Sequence, residues 1–266
     1  MLIIGEKING AIPSIKQAIA EHNEELIVQR VKAQADAGAD FIDCAPSTAT
    51  EIEYETMVWL IGLIQNTTDI PICIDSPNAK LLARIIEEGH VKKPGMVNSV
   101  NEEGDKCETI FPLIAGTDWQ VVGLTCDKDG IPADPVRKVE IAKQIIDKAR
   151  KYGINLKNLH IDPCVMALAT CATAMDDFAY CIKNIHAYAP DVKVTGAISN
   201  ISFNMPARKY VNMSCMTMAV QAGLDSAIMD PVSRDMMGAL YAAEAMSMKD
   251  KSGRKYNRAY RKGLFG

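Results

Sequence analysis

The sequence predicts a (β/α)8 TIM barrel, and three observations carry the prediction. Eight short apolar runs, each of strand length, recur along the 266 residues, with amphipathic stretches between them. Alternation of this kind builds a parallel sheet covered by helices. The length is close to the ~250 residues typical of one such barrel. No glycine fingerprint follows the first run, which weighs against the alternative of an open doubly wound sheet. No linker or low-complexity tract interrupts the pattern, so residues 1–266 read as one domain.

The elements follow in order. The first run is Leu2 to Asn9. The stretch from Glu24 to Gly38 places Leu26, Ile27, Val31, Ala35 and Ala37 near a 3.6-residue period and ends on a glycine stop. Phe41 to Pro46 is the second strand, and Thr50 to Gln65, with Ile52, Met57, Leu60, Ile61 and Ile64, the helix after it. Pro71 to Ser76 precedes a helix from Asn78, a plausible N-cap, to Gly89. Gly95 to Val100 is followed by a shorter helical stretch, Glu103 to Ala115. Gln120 to Cys126 leads to Asp134-Pro135, which opens a helix over Val136–Tyr152 with proline at its first position. Leu159 to Pro163 precedes a helix from Asp176 to Tyr188. Lys193 to Ser199 reads as a strand buried on both faces, with Asn200 at its tip, before a Met- and Ala-rich helix from Pro206 to Gly223. Ser226 to Pro231 is the eighth strand and Ser233 to Met248 the last helix.

Hydrophobic content of 48% and charged content of 23% are the balance of a soluble globular protein. A net charge of −4 argues against nucleic acid as the main partner. No apolar run reaches the ~20 residues of a membrane span, and no charged leader precedes the first strand, so a cytoplasmic protein is expected. None of the eight cysteines forms a C-x-x-C pair, and they read as reduced structural thiols. With 14 methionines beside them, an oxygen-poor cell is expected.

A TIM barrel carries its site at the C-terminal strand ends. Those ends hold Glu6, Asn9, Asp43, Asp75, Ser76, Asn98, Ser99, Thr125, Asp127, Asp162, Asn200 and Asp230. The set is rich in carboxylates and amides. It contains no lysine, and His160 reads as pointing away from Asp162. No nucleophile–base pair, phosphate loop or metal-ligand spacing is present, so no metal is expected. An ionised carboxylate accepts two parallel N–H donors, which is what an aminopyrimidinone edge offers, and Asn supplies a donor and an acceptor beside it. Asp75, Asn98 and Asp162 can therefore hold one flat polar heterocycle. The competing role for any one of them, capping the next helix, is strongest for Asp230 and Asp43.

Gly5-Glu-Lys-Ile-Asn9, Ile74-Asp-Ser76, Asn98-Ser99, Gly123-Leu-Thr125, Ile161-Asp-Pro163, Ser199-Asn200 with Arg208, and Gly223-Leu-Asp-Ser-Ala227 together resemble the pterin-binding methyltransferases. The ordered set runs almost the full length. It is most similar to the methyltetrahydrofolate:corrinoid/iron–sulfur protein methyltransferases, and more distantly to the folate domain of methionine synthase and to dihydropteroate synthase. The resemblance implies a homodimeric barrel that binds tetrahydrofolate or 5-methyltetrahydrofolate at its mouth, with a separate corrinoid (cobalamin) protein as partner. It implies pterin contacts from Asp75, Asn98, Asp162, Ser199, Arg208, Glu6 and Asn9, and places Asn200 at N5, the methyl-bearing nitrogen. Asn200, with a water, is then expected to stabilise protonated N5. Where the acetogenic enzymes end their second strand in Asp-Leu-Asn-Val-Gly, this chain has Asp43-Cys-Ala-Pro-Ser47. That departure favours the demethylation branch, in which methyl groups pass from the corrinoid protein to tetrahydrofolate. The alternatives are a dihydropteroate synthase-like enzyme and a non-catalytic pterin-binding barrel.

The tail from Lys249 to Lys262 carries seven basic residues and one acid. It reads as a solvated extension, or as a patch for an acidic partner or a folate glutamate chain.

Overall fold

The structure, a computed structural model, describes all 266 residues. Its strands are β1 (Leu2–Asn9), β2 (Phe41–Ala45), β3 (Ile72–Asp75), β4 (Met96–Glu102), β5 (Gln120–Asp127), β6 (Leu159–Asp162), β7 (Lys193–Val194) and β8 (Ser226–Met229). Its helices are α1 (Pro13–Ala20), α2 (Glu24–Asp36), α3 (Thr50–Thr67), α4 (Ala79–Glu87), α5 (Lys106–Ile114), α6 (Pro135–Lys151), α7 (Ala174–Tyr188), α8 (Arg208–Ala222), α9 (Arg234–Met246) and α10 (Arg254–Arg261). The strands pair in parallel in the order β7-β6-β5-β4-β3-β2-β1-β8. The seam between β7 and β8 is closed by single bonds: Asp225 N–H donates to the Val194 carbonyl and Ile228 N–H to the Gly196 carbonyl, each at 3.0 Å. The result is the predicted barrel.

Side chains two residues apart on a strand share a face, and this places the site. Ile4, Phe41, Cys73, Met96 and Val122 form an apolar plug inside the barrel, with Ile228 against it. Two residues further along each of these strands come Glu6, Asp43, Asp75, Asn98, Leu124 and Asp230. The polar mouth is therefore the next layer of the same inward face. The outward strand faces and the inner helix faces make the larger core, in which Ile42, Ile74, Val97, Val121 and Ile161 are fully buried.

The chain departs from the sequence reading in three places. The seventh strand was predicted to run to Ser199, with Asn200 at its tip, but its ladder ends at Val194 and the chain enters a 3₁₀ turn over Ile198–Ser202. At Gly196 a Cβ would come within 2.8 Å of the Phe178 ring, so the backbone lies close against α7 before turning. Second, α1 was not foreseen; its eight residues are too few to show a period, yet Ile15, Ala18 and Ile19 are buried. Third, the basic tail is a folded element. In α10 Ala259 is buried, and beyond it Phe265 packs among the rings of Tyr241, Tyr256 and Tyr260 at centroid distances of 5.7, 4.9 and 5.9 Å. Lys255, Arg258 and Lys262 line a cleft with Met1 and Ile3, at the start of β1 and away from the mouth.

Candidate functional site

The strand ends surround a cavity of about 830 Å³, lined from β1 to β6, the 3₁₀ turn, α8, the β8 end and α9. Every residue singled out for ring binding lines it: Glu6, Asn9, Asp75, Asn98, Asp162, Ser199, Asn200 and Arg208. Thr125 and Asp127 do not. Asp127 lies beyond the mouth, where its carboxylate pairs with Arg137 at 2.9 Å.

Asp75 and Asn98 are partners in the β3–β4 register, so their side chains rise side by side. Behind Asp75, Ser76 Oγ donates to the buried Glu53 of α3 at 2.6 Å and accepts from Asn78 N–H at 3.0 Å. Burial, and then the neighbouring Glu53 charge, push the Asp75 carboxyl up to about 7. Asp162 is 5% exposed and accepts Cys164 N–H at 2.7 Å. The Cys164 carbonyl in turn accepts the buried Lys138 ammonium of α6 at 2.8 Å. Burial pushes Asp162 up to about 6 against the pull of the Cys164 N–H and the Lys138 charge. Two carboxylates thus stand ready to ionise near neutral pH and to accept N–H donors.

The 3₁₀ turn holds its shape through Arg208, whose Nε donates to Ser202 Oγ at 2.9 Å and whose second nitrogen donates to the Ser199 carbonyl at 2.7 Å. Asn200 is exposed to the cavity, and its backbone alone makes the turn bonds. Its amide is left for a ligand. Arg208 thus supports the turn as well as lining the cavity. Asn9 Oδ1 accepts Ala11 N–H at 2.8 Å and Ser47 Oγ–H at 3.3 Å, which ties the β1 and β2 rims together. Between them Gly10 is packed so close that a Cβ would fall 1.9 Å from the Pro46 carbonyl oxygen.

Three readings from the sequence are corrected. Asp43 caps no helix; it is 2% exposed, lines the cavity, and leaves its Oδ1 without a hydrogen-bond partner. A lysine does reach the mouth: β1 changes register between Gly5 and Ile8, so Lys7 lines the cavity beside Glu6 and pairs with Asp230 at 2.9 Å. Simple alternation hid it. His160 shares the face of Asp162, being two residues away, and lies deeper, bonded to Ser226 Oγ at 2.7 Å and Gln120 Oε1 at 2.6 Å. Burial lowers its pKa to about 3, so it is a neutral part of the floor. Lys138 and Glu53 support the site from helices, where nothing in the strand pattern marks them. No group of His, Cys, Asp and Glu is arranged to hold a metal ion.

The "Pterin binding enzyme" family model matches residues 9–230. A methylcorrinoid:tetrahydrofolate methyltransferase from Eubacterium limosum is 45% identical over 268 residues, covering 100% of this chain and 98% of that protein. Methionine synthase from Mycobacterium tuberculosis is 29% identical over 86% of this chain, which spans 20% of that enzyme's length. In structure, Yersinia pestis dihydropteroate synthase with a pterin–sulfa conjugate superposes with a TM-score of 0.69 over 94% of each chain, at 15% identity. A Coxiella burnetii dihydropteroate synthase bound to pteroic acid superposes at 0.67 over 92% of this chain and 93% of that one, at 17% identity. At such identities the two solved structures speak for the barrel alone.

Proposed function

The chain belongs to the pterin-binding enzyme family, and from that membership we propose that it is a methyltransferase moving a methyl group between N5 of tetrahydrofolate and the cobalt of a corrinoid protein. The observation that carries this is full-length similarity, at 45%, to a methylcorrinoid:tetrahydrofolate methyltransferase, together with a cavity lined by Asp75, Asn98, Asp162 and Asn200. We favour the direction from methylcorrinoid to tetrahydrofolate, in keeping with that relative's name.

In that direction the N5 lone pair attacks the cobalt-bound methyl, the Co–C electron pair stays on cobalt as Co(I), and N5 releases its proton. The reverse requires N5 to carry a proton so that it can leave as an amine. In our reading Asp75 and Asp162 accept the ring's N–H donors, and Asn98 meets the remaining edge. Glu6 and Asn9 close the β1 side. Ser199 and Asn200, held by Arg208, face N5, and the Asn200 amide stabilises the charge that develops there. Burial raises the Glu6 carboxyl, and the neighbouring Ser199 hydroxyl pulls the other way.

We further propose a homodimer working in the cytoplasm of an oxygen-poor cell. Exposed Tyr210 and Met218 on the outer face of α8 and eight unpaired cysteines support this, and no helix is long and apolar enough to cross a membrane. The deciding experiment is anaerobic. The protein is mixed with tetrahydrofolate and methylcobalamin, and separately with methyltetrahydrofolate and cob(I)alamin, while the corrinoid spectrum is followed. Conversion in either mixture is the expected result, and failure to bind tetrahydrofolate overturns the assignment.

A further inference from the structure

We propose that Asp43 is a neutral carboxylic acid beneath the ring site, donating its proton toward Asp75 so that Asp75 remains the ionised acceptor for the ring. The observation is geometric. Asp43 is 2% exposed, and its Oδ1 has no partner in the protein. An ionised carboxylate oxygen buried without a donor is costly, whereas the same oxygen carrying a proton becomes a donor in search of an acceptor.

The groups around it supply the acceptor and no counter-charge. From β3, Asp75 and the Cys73 thiol lie around it; from β4, the Asn98 amide; from β1, Glu6 adds a second negative group. Glu53 on α3 faces Asp75 from behind. The two lysines that line the cavity are paired elsewhere, Lys7 with Asp230 and Lys209 with Asp235. Two buried carboxylates with no cation between them retain a proton, and it settles on the more buried of the two. Burial and the Asp75 charge both push the Asp43 carboxyl well above its usual range, in agreement with the geometry.

Asp43 is a positioning residue here. It holds Asp75 through the shared proton, and Asp75 meets the ring. The role of Asp75 rests on the folate reading; the proton on Asp43 does not. The two can therefore fail separately.

The first test needs no ligand. Infrared difference spectra of the whole protein with carboxyl-labelled aspartate at pH 7.5 should show a carboxylic-acid C=O band that is lost in Asp43→Asn. Absence of an Asp43-dependent band overturns the inference. The second test reads tetrahydrofolate affinity. Asp43→Ala should weaken it by about tenfold or more, since a buried polar partner is left unmet. Asp43→Asn should recover most of that loss, because its amide also donates without charge. An asparagine variant as weak as the alanine variant overturns the inference. Should Asp43→Ala fail to fold, a loss beyond about tenfold in Asp43→Asn relative to the parent has the same meaning. If the parent binds no tetrahydrofolate, the folate reading falls, and the infrared band still decides the state of Asp43.

Discussion

Lys138 stands behind Asp162 through a single residue, Cys164. Its ammonium donates to the Cys164 carbonyl at 2.8 Å, while the Cys164 N–H donates to the Asp162 carboxylate at 2.7 Å. Both side chains are almost wholly buried, at 3% and 5% exposure. A buried cation placed this way favours the ionised form of Asp162 without itself bonding to the carboxylate oxygens. Lys138→Met should weaken tetrahydrofolate binding at pH 7 by about tenfold, through both the stranded Cys164 carbonyl and a more readily protonated Asp162. The acid limb of the binding profile, set in the parent near the Asp162 value of about 6, should move to higher pH. Titration of both proteins from pH 5.5 to 8 checks this, and an unmoved limb would show that Lys138 does not act through Asp162.

The same carboxylates predict how stability depends on pH. The folded-state pKa of Asp75 is raised to about 7 and that of Asp162 to about 6, both from 3.8. The folded protein therefore holds protons that the unfolded chain has already released between about pH 4 and 7. Stability contributed by these two groups is present below pH 4 and is lost as pH rises through 6 to 7. A ligand whose N–H groups meet the ionised forms repays that loss. The rise in melting temperature caused by saturating tetrahydrofolate should thus be larger at pH 8 than at pH 5.5. An equal or smaller rise at pH 8 would mean that the ring does not bind the ionised carboxylates.

The tail offers a stability prediction that leaves the mouth alone. Phe265 is 6% exposed and closes α10 onto α9 through Gly238 and three tyrosine rings. Phe265→Ala should cost roughly 3 kcal/mol, the lower end for deleting a buried phenylalanine. Differential scanning fluorimetry should show the fall, and tetrahydrofolate affinity measured well below the new midpoint should stay at the parent value. A loss of affinity there would place the tail within reach of the folate chain after all.

The barrel was legible in the sequence because its signal is repetitive: eight apolar runs each stop at a polar residue, and helix-forming stretches between them open on signals such as Asn78 and Asp134-Pro135. Asp75, Asn98 and Asp162 were legible for the same reason, since strand alternation carries the inward face one layer past the apolar plug. Lys7 was not, because a register change in β1 breaks the alternation locally. The end of β7 was not, because Gly196 and the small residues around it suit both a buried strand and a close-packed turn. Glu53 and Lys138 act from helices onto strand ends, and such contacts between elements leave no periodic trace. Asp43 looked like a helix cap because it interrupts an apolar run, yet it sits mid-strand in β2, on the inward face.

Asn200 is where geometry and chemistry separate most cleanly. Its side chain reaches the cavity from a turn fixed by backbone bonds and by Arg208, so removing the amide leaves the turn intact. The acids that would hold the ring, Asp75 and Asp162, sit on other strands. Loss of the amide should therefore spare ground-state binding and remove only what it does as charge develops at N5. Asn200→Ala should lower turnover about a hundredfold, the size found for losing one preorganised donor of this kind, and change tetrahydrofolate affinity by no more than about threefold. Arg208→Ala makes the complementary case: it loosens the turn itself, so turnover and affinity should fall together. Steady-state kinetics and equilibrium binding on both variants separate the two. If Asn200→Ala turns over like the parent, the amide does not act on N5; if its affinity collapses with its turnover, Asn200 belongs to ring binding and not to methyl transfer.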